Sequence, residues 1–394
     1  MTNTEWKESK FKELYLIPSK NGVSKPSRVR GNGFKMINMG ELFSHDRIYD
    51  IPMELVPLTE AEQISAKVEP FDLLFARQSL VAEGAGKCDI VMEVSPLTVF
   101  ESHLIRVRLN QELAYPPYFY YYFKSPFSPV KRIIQHCVQA GIKASDLAEV
   151  TVKYPPLAEQ QRIAKILSSI DDKIELNNAI NRNLEEQIQA IFKSWFIEFE
   201  PFGGEMPEDW TIGKLSDLAE YEKENINLSE LTEETYYSTE NMLSNKAGVS
   251  SATNLPTIDQ TTRCFPGETV ISNIRPYFKK IFYCTEDIAG CSTDVLCFKP
   301  KNKLLATYNY SLLYSDNFFD YMVKGSKGTK MPRGDKSQIM NYEICIPSDE
   351  YLQKFDGIVS KLQMQIHNLK KETTQLTKTR DALLPKLMSG DLGC

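Results

Sequence analysis

The sequence lacks any apolar run of about 18 residues, so it holds no candidate membrane-spanning helix. Its first residues, MTNTEWKESKFKELY, are polar and charged where a secretory leader would be apolar, so no leader is expected. Cysteine pairs at metal or redox spacing are also missing. The eight cysteines are Cys88, Cys137, Cys264, Cys284, Cys291, Cys297, Cys345 and Cys394, and none forms a C-x-x-C pair. The tightest group, Cys284, Cys291 and Cys297, fits neither a zinc ribbon nor a zinc finger. These read as reduced thiols, mostly in the core, of a cytoplasmic protein.

Catalytic patterns are equally sparse. The four histidines, His45, His103, His136 and His367, include no H-x-x-x-H pair. His103 falls in an alternating strand-like segment and reads as structural. EGAGKC lacks the first Gly and the Ser/Thr of a phosphate-binding loop, and GNGFKM lacks the third Gly of a dinucleotide fingerprint. YPPY, Tyr115–Tyr118, is similar to the [Asp/Asn/Ser]-Pro-Pro-[Tyr/Phe] loop of amino-directed DNA methyltransferases. That loop needs a small polar residue for the flipped base, which Tyr115 does not supply. No glycine-rich S-adenosylmethionine loop precedes it, and no Pro-Asp…Glu-x-Lys nuclease pattern occurs. We expect no catalytic residue and no metal ligand in the chain.

What is present is a globular composition, 42% hydrophobic and 25% charged, over 394 residues, enough for about two or three domains. The net charge of −6 argues against a uniformly basic nucleic-acid binder. The charge is uneven, however. Ser19–Met39 carries Lys20, Lys25, Arg28, Arg30 and Lys35 without an acid. Tyr321–Gly334 carries Lys324, Lys327, Lys330 and Arg333, again without an acid. Asp217–Glu240 is strongly acidic and reads as solvent-facing or facing a basic partner. Two kinds of surface are expected, one of them for a polyanion.

The chain repeats itself with a period of about 190 to 205 residues, which means two domains and not a solenoid. Trp6, Lys10, Phe11 and Leu14 recur as Trp210, Lys214, Leu215 and Leu218. EPFDLLFAR recurs as FPGETVISNIR, each ending in an Arg, Arg77 and Arg275. Strand-like ESHLIRVRL and STDVLCFKP follow, then aromatic YPPYFYYYFKS and YNYSLLYSDNFFDYM. Gly/Lys loops come next, QAGIKASDL and GSKGTKMPRGDK, and a last strand ends at Pro in VTVKYPP and YEICIP. Each half therefore reads as a compact α/β (α+β) domain.

A long helix follows each half. In the second, Phe355, Val359, Leu362, Ile366, Leu369, Leu376, Leu383 and Leu387 step by fours and threes, with Thr373 and Arg380 as polar interruptions. In the first, Ile163, Ile166, Ile170, Asn177, Ile180, Leu184 and Ile191 form a similar seam, with Lys173 polar and Ile174 and Ile188 widening it. Two seams in one chain most simply pair as an antiparallel coiled coil. Each helix of about 40 residues would be roughly 60 Å long.

The first of these helices carries a resemblance. PPLAEQQRIAKILSSIDDKIELNNAINRNLEEQIQAIFKSWF resembles the central conserved helix of the specificity subunits of type I restriction-modification systems. The likeness rests on Pro155-Pro156-Leu157, Glu159-Gln160, Ile163, Leu167, Asp172-Lys173-Ile174-Glu175, Asn177, Leu184, Phe192 and Trp195-Phe196. RDALLPKLMSGDL, Arg380–Leu392, is similar to the end of the family's second conserved helix. The second helix departs at its start, IPSDEYLQKF, which has one Pro and no Glu-Gln.

The resemblance implies two target recognition domains, 1–154 and 201–347, with conserved helices at 155–200 and 348–394. It implies that the domains read the two halves of a bipartite double-stranded DNA target, and that the coiled coil sets their spacing. Two modification subunits would dock on the coiled coil. Two motor-nuclease subunits would join for ATP-dependent cleavage. S-adenosylmethionine, ATP and Mg would sit on those partners, with no cofactor on this chain and no membrane partner.

DNA contacts are expected in the locally basic, Gly-bearing segments. The candidates are Lys25, Arg28, Arg30, Lys35, Arg77, Gln78 and Lys143 in the first domain. In the second they are Arg275, Lys279, Lys280, Lys327, Lys330 and Arg333. Arg and Gln suit base edges, and Lys suits phosphate. Two other classes stay open: a coiled-coil scaffold without a DNA role, and a stand-alone methyltransferase or nuclease with unrecognised motifs.

Overall fold

The computed structural model describes residues 6–79, 84–136 and 140–390. Glu83, Cys137, Gln139, Asp391, Leu392 and Cys394 lie outside them. The chain divides into two units, one of residues up to Leu176 with those from Thr373 on, the other Asn177–Glu372. The division falls inside both long helices. Each helix half packs on the core of its own unit.

The repeated proline motifs set the frame of each unit. In Glu69-Pro70-Phe71-Asp72 the third residue is left-handed, φ 71°, and in Phe265-Pro266-Gly267-Glu268 it is again, φ 92°. Proline second and positive φ third is the type II turn pattern. The acid at the fourth position accepts a hydrogen bond from the first residue's N–H, Glu69 to Asp72 and Phe265 to Glu268, each at 2.8 Å. Gly267 adopts this conformation freely, whereas Phe71 holds it at a cost of about 1 kcal/mol or more.

From each turn a buried strand departs. In the first unit the sheet order is Tyr15–Asn21, Leu104–Leu109, Leu73–Ala76, Cys88–Val91, Arg47–Ile48. In the second it is Ala219–Tyr221, Val295–Pro300, Thr269–Ser272, Ile281–Tyr283. The central registers match: Leu104 faces Ala76 and Val107 faces Leu73, while Val295 faces Ser272 and Phe298 faces Thr269. Each unit adds a side sheet holding one parallel pair, Phe34–Ile37 with Thr98–Phe100 and Tyr236–Tyr237 with Ala289–Cys291. Each is closed by a short antiparallel pair, Lys7–Lys10 with Thr151–Tyr154 and Thr211–Lys214 with Glu343–Ile346.

The aromatic segments become core helices. Pro116–Lys124 starts with two prolines, whose missing N–H groups cost nothing at a helix start, and buries nearly every side chain. YPPY is thus the entry to a core helix, with Tyr118 fully buried. Phe123 packs edge-on against Phe11 at 4.8 Å and Phe75 at 5.0 Å. In the second unit Phe196 does the same with Tyr308 at 4.9 Å and Phe355 at 5.0 Å.

The long helices span Leu157–Phe196 and Asp349–Ser389. Gln160, fully buried, accepts from the Tyr115 N–H at 2.8 Å and donates to the Pro155 carbonyl at 2.9 Å. It therefore locks the strand exit to the aromatic helix. In the first unit the buried stripe is Gln160, Ile163, Ala164, Leu167 and Asp171, packed with Leu383, Leu384, Leu387 and Met388. Asp171 pairs with Arg380 at 2.9 Å and accepts from the Tyr121 hydroxyl at 2.6 Å.

In the second unit the stripe is Asn177, Asn181, Leu184, Ile188, Phe192 and Phe196, against Leu352, Phe355, Val359, Gln363 and Ile366. Asn177 donates to Glu372 at 2.9 Å, and Glu185 meets Lys370 at 3.2 Å. In each unit the two helices run antiparallel. The stripe differs from the seam expected from the heptads. Ile166, Ile170, Ile180, Ile191, Leu362, Leu369, Leu376 and Leu383 are half-buried at its edges, and Lys173 is exposed. The globular cores turn each helix so that Ala164, Leu167, Ile188 and Phe192 take the centre.

Candidate nucleic-acid interface

The strand after each Pro turn leads into the segment that carries the repeated Arg. In both units that segment lies against the Gly/Lys loop from far along the chain. In the first unit Gln78–Ser79 pairs with Ala140–Gly141, and the Ile142 N–H donates to the Arg77 carbonyl at 2.9 Å. Gly141 is required here, since a Cβ would come within 2.9 Å of the Arg77 carbonyl oxygen. In the second unit Ile274 bridges Arg333, and the Gly334 N–H donates to the Asn273 carbonyl at 3.2 Å. A Cβ at Gly334 would come within 2.8 Å of the Asn273 side-chain oxygen. Two segments that look unrelated in sequence therefore form one surface in each unit.

The register corrects one detail of the repeat. Counting from the paired strands, Arg77 corresponds to Asn273, and Arg275 lies two residues further on, at the place of Ser79. Arg77 donates to the Ser102 carbonyl at 3.3 Å. Arg275 instead has a left-handed backbone, φ 49°, fixed by its N–H to the Pro332 carbonyl at 2.7 Å. Such a conformation in a non-glycine residue is strained, and the Arg275 guanidinium donates to the Lys330 carbonyl at 3.5 Å.

Beside Arg275 a cleft of ≈ 640 Å³ opens, lined by Thr239, Phe278, Lys280, Asp294 and Met331 among others. Arg333 pairs with Asp294 at 3.0 Å, Lys327 with Asp335 at 2.5 Å, and Lys279 with Asp316 at 2.7 Å. Lys246 shares Asp316, and the two lysines hold that carboxyl down at about 2. Lys280 donates to the Thr239 carbonyl at 2.6 Å, and burial lowers its pKa. Lys330 is exposed and, among the described residues, forms no ion pair. The cleft thus offers donors and acceptors together, as base edges require, and not a run of bare cations. Met331, 49% exposed, adds apolar contact area to the cleft that charge counting misses.

The basic stretch of the first unit has a different character. Lys25 pairs with Glu62 at 2.8 Å, Arg30 with Glu54 at 2.7 Å, and Lys35 with Asp50 at 2.7 Å. The Lys25 and Lys35 hydrogen bonds hold Glu62 and Asp50 below the usual carboxylate range. Arg28 is exposed and, among the described residues, forms no ion pair. Among the described residues none of these four hydrogen-bonds to Arg77, Gln78 or Lys143; Lys143 is exposed at the start of the helix Ala144–Glu149, just past Gly141.

Among the described residues no group of three or more His, Cys, Asp or Glu could hold a metal ion. Cys264, Cys284, Cys291 and Cys297 are buried, and His103 contacts Glu101 at 3.2 Å. Among the described residues no helix is long and apolar enough to cross a membrane.

A family model described as the type I restriction modification DNA specificity domain matches residues 3–186 and 207–378, one match for each half. The chain is 31% identical over 305 residues to the type I restriction enzyme MjaIX specificity subunit of Methanocaldococcus jannaschii, covering 70% of this chain and 68% of that protein. It is 27% identical over 225 residues to the EcoKI specificity subunit of Escherichia coli, covering 53% of this chain and 46% of that one. A crystal structure of the type I restriction-modification S subunit from M. genitalium shares the fold at 16% identity. Its TM-score is 0.62, over 98% of this chain and 97% of that one.

Proposed function

Because the chain belongs to the type I restriction modification DNA specificity family, and its role is DNA sequence specificity, we propose that its two units read the two halves of one bipartite double-stranded target. The observation that carries this is the repeated surface, in which the post-turn segment and the Gly/Lys loop meet in each unit. The reading surfaces are Arg77, Gln78 and Lys143 in the first unit and Arg275, Lys279, Lys280, Lys327, Lys330 and Arg333 in the second. Lys25, Arg28, Arg30 and Lys35 act on phosphate, with Arg28 the most available.

The paired helices set the separation of the half-sites and offer the docking surface for two modification subunits. The chain itself is non-catalytic and binds no cofactor. Methyl transfer from S-adenosylmethionine belongs to the modification subunits, and ATP-driven cleavage to two motor-nuclease subunits, where ATP and Mg act. The assembly works in the cytoplasm. Half-sites on one face of a duplex lie about one helical turn, roughly 34 Å, apart, which a helix pair of this length can span.

The test is a domain exchange. Residues 1–154 are replaced by the first domain of another specificity subunit, and the methylated sites of the reconstituted enzyme are mapped. One half-site should change and the other stay. A change in both, or DNA methylation by the chain without modification subunits, would refute the reading.

A further inference from the structure

Away from the Gly/Lys surface, the first unit holds a second cluster of cations. Arg106 and Arg108 alternate on one face of the strand Leu104–Leu109, and Lys20 on the neighbouring strand stands directly opposite Arg106. Like charges facing each other across a sheet are destabilising. These three and Lys67 line an open pocket of ≈ 370 Å³ with Ser19 and Ser65.

Its carboxylates are already taken. Arg108 grips Asp72 through two contacts of 2.7 Å and reaches Glu69 at 2.7 Å. Lys67 stands 3.8 Å from Glu69. Arg106 is 4% exposed and, among the described residues, forms no ion pair with a carboxylate. One of its terminal nitrogens donates to the Lys67 carbonyl at 2.7 Å, and its Nε is buried with no hydrogen-bond partner among the described residues. Lys20 is exposed, and among the described residues it forms no ion pair. Four cations thus face two carboxylates, an excess of two positive charges around one buried guanidinium. Buried charges normally have a counter-charge.

The frame does not demand this arrangement. At the matching register of the second unit Cys297 replaces Arg106. Glu222, whose N–H donates to the Cys297 carbonyl at 3.0 Å, replaces Lys20. The same strands therefore fold with a thiol and an acid in place of two cations. The cations of the first unit point to a ligand.

We propose that this pocket binds a phosphate group, either free or carried on a nucleic-acid backbone. Guanidinium and ammonium groups around a cavity of this size match its charge and its several acceptor oxygens. The free-phosphate form stands whether or not the DNA reading holds.

The complete chain is melted in inorganic phosphate and in chloride at equal ionic strength. Phosphate should raise Tm by about 2–4 °C at saturation. Lys20→Glu, at an exposed position, should abolish the rise, as should Arg106→Met. Lys7→Glu, an exposed cation outside the pocket, should leave it intact. In a second arm, duplex binding is measured against salt. If a backbone phosphate occupies the pocket, Lys20→Ala lowers the salt slope by about 1 and Lys7→Ala does not. A phosphate-specific rise with an unchanged slope identifies free phosphate as the ligand. No phosphate-specific rise, together with no slope change beyond that of Lys7→Ala, overturns the proposal.

Discussion

At the exit of its Pro turn, each unit buries an acid against the same two strands, yet the two acids live in opposite surroundings. Asp72 is fully buried and gripped by Arg108, with Arg106 nearby. Glu268, 2% exposed, has a thiol and a second carboxylate for neighbours. Cys297 Sγ donates to it at 2.9 Å, and Glu222 couples to it. Both acids keep the hydrogen bond that closes the turn. The turn therefore explains why an acid stands there, and the strands explain nothing about its charge state. Fold and charge are separable at this position, which leaves each unit free to vary its surface on a constant frame.

The sharpest way to break the comparison is to remove the acid on each side. Asp72→Ala should destabilise the first unit by about 3–5 kcal/mol, since it removes the buried partner of Arg108 and leaves only the more exposed Glu69 beside it. Hydrogen exchange in Leu73–Ala76 and Leu104–Leu109 would show it as faster opening. Glu268→Gln should cost far less, and equal losses would mean that the two sites are held alike.

A pH series separates the two acids next. Burial is the main cause that pushes Glu268 up to about 7, from an ordinary 4.5, with Glu222 adding to it. The unfolded chain therefore releases this proton first. Between about 4.5 and about 7 the folded state holds more protons, so the second unit loses stability as pH rises and levels off above that window. The loss is at most about 3 kcal/mol, and Glu268→Gln should flatten it. Hydrogen exchange in Thr269–Ser272 and Val295–Pro300 across that range reads it directly. An unchanged slope in the variant would assign the effect elsewhere.

Much of this frame is legible in the sequence because its signals are local. Pro turns, alternating strands, a Pro-started aromatic run and two long apolar stripes each depend on neighbours within a few residues. What is not legible depends on distant pairing. The Lys25–Arg30–Lys35 stretch reads as a basic patch, but Glu62, Glu54 and Asp50 come back from later in the chain to neutralise it. Arg77 and Arg275 look equivalent until the strand register places them two residues apart. The helical stripe is shifted because each helix serves two masters, its partner helix and the domain core. Asp294 and Met331 carried no signal that pattern reading could use, since only the folded cleft brings them beside Arg275.

That register difference makes the smallest effect the most discriminating one. Arg275 lines the cleft from a strained backbone, with only a long 3.5 Å bond from its guanidinium to the Lys330 carbonyl among the described residues, so that group can turn to a base edge. Arg77 spends a donor on the Ser102 carbonyl and shares its own carbonyl with the Gly/Lys loop, so it holds the surface together. Arg275→Ala in the reconstituted enzyme should therefore relax base preference in one half-site by about 1–3 kcal/mol and leave the other untouched. Arg77→Ala should weaken binding evenly across base variants of its own half-site. Competition binding against duplexes altered one base pair at a time distinguishes the two. Loss spread over both half-sites from Arg275→Ala would place that side chain on the backbone and not on a base.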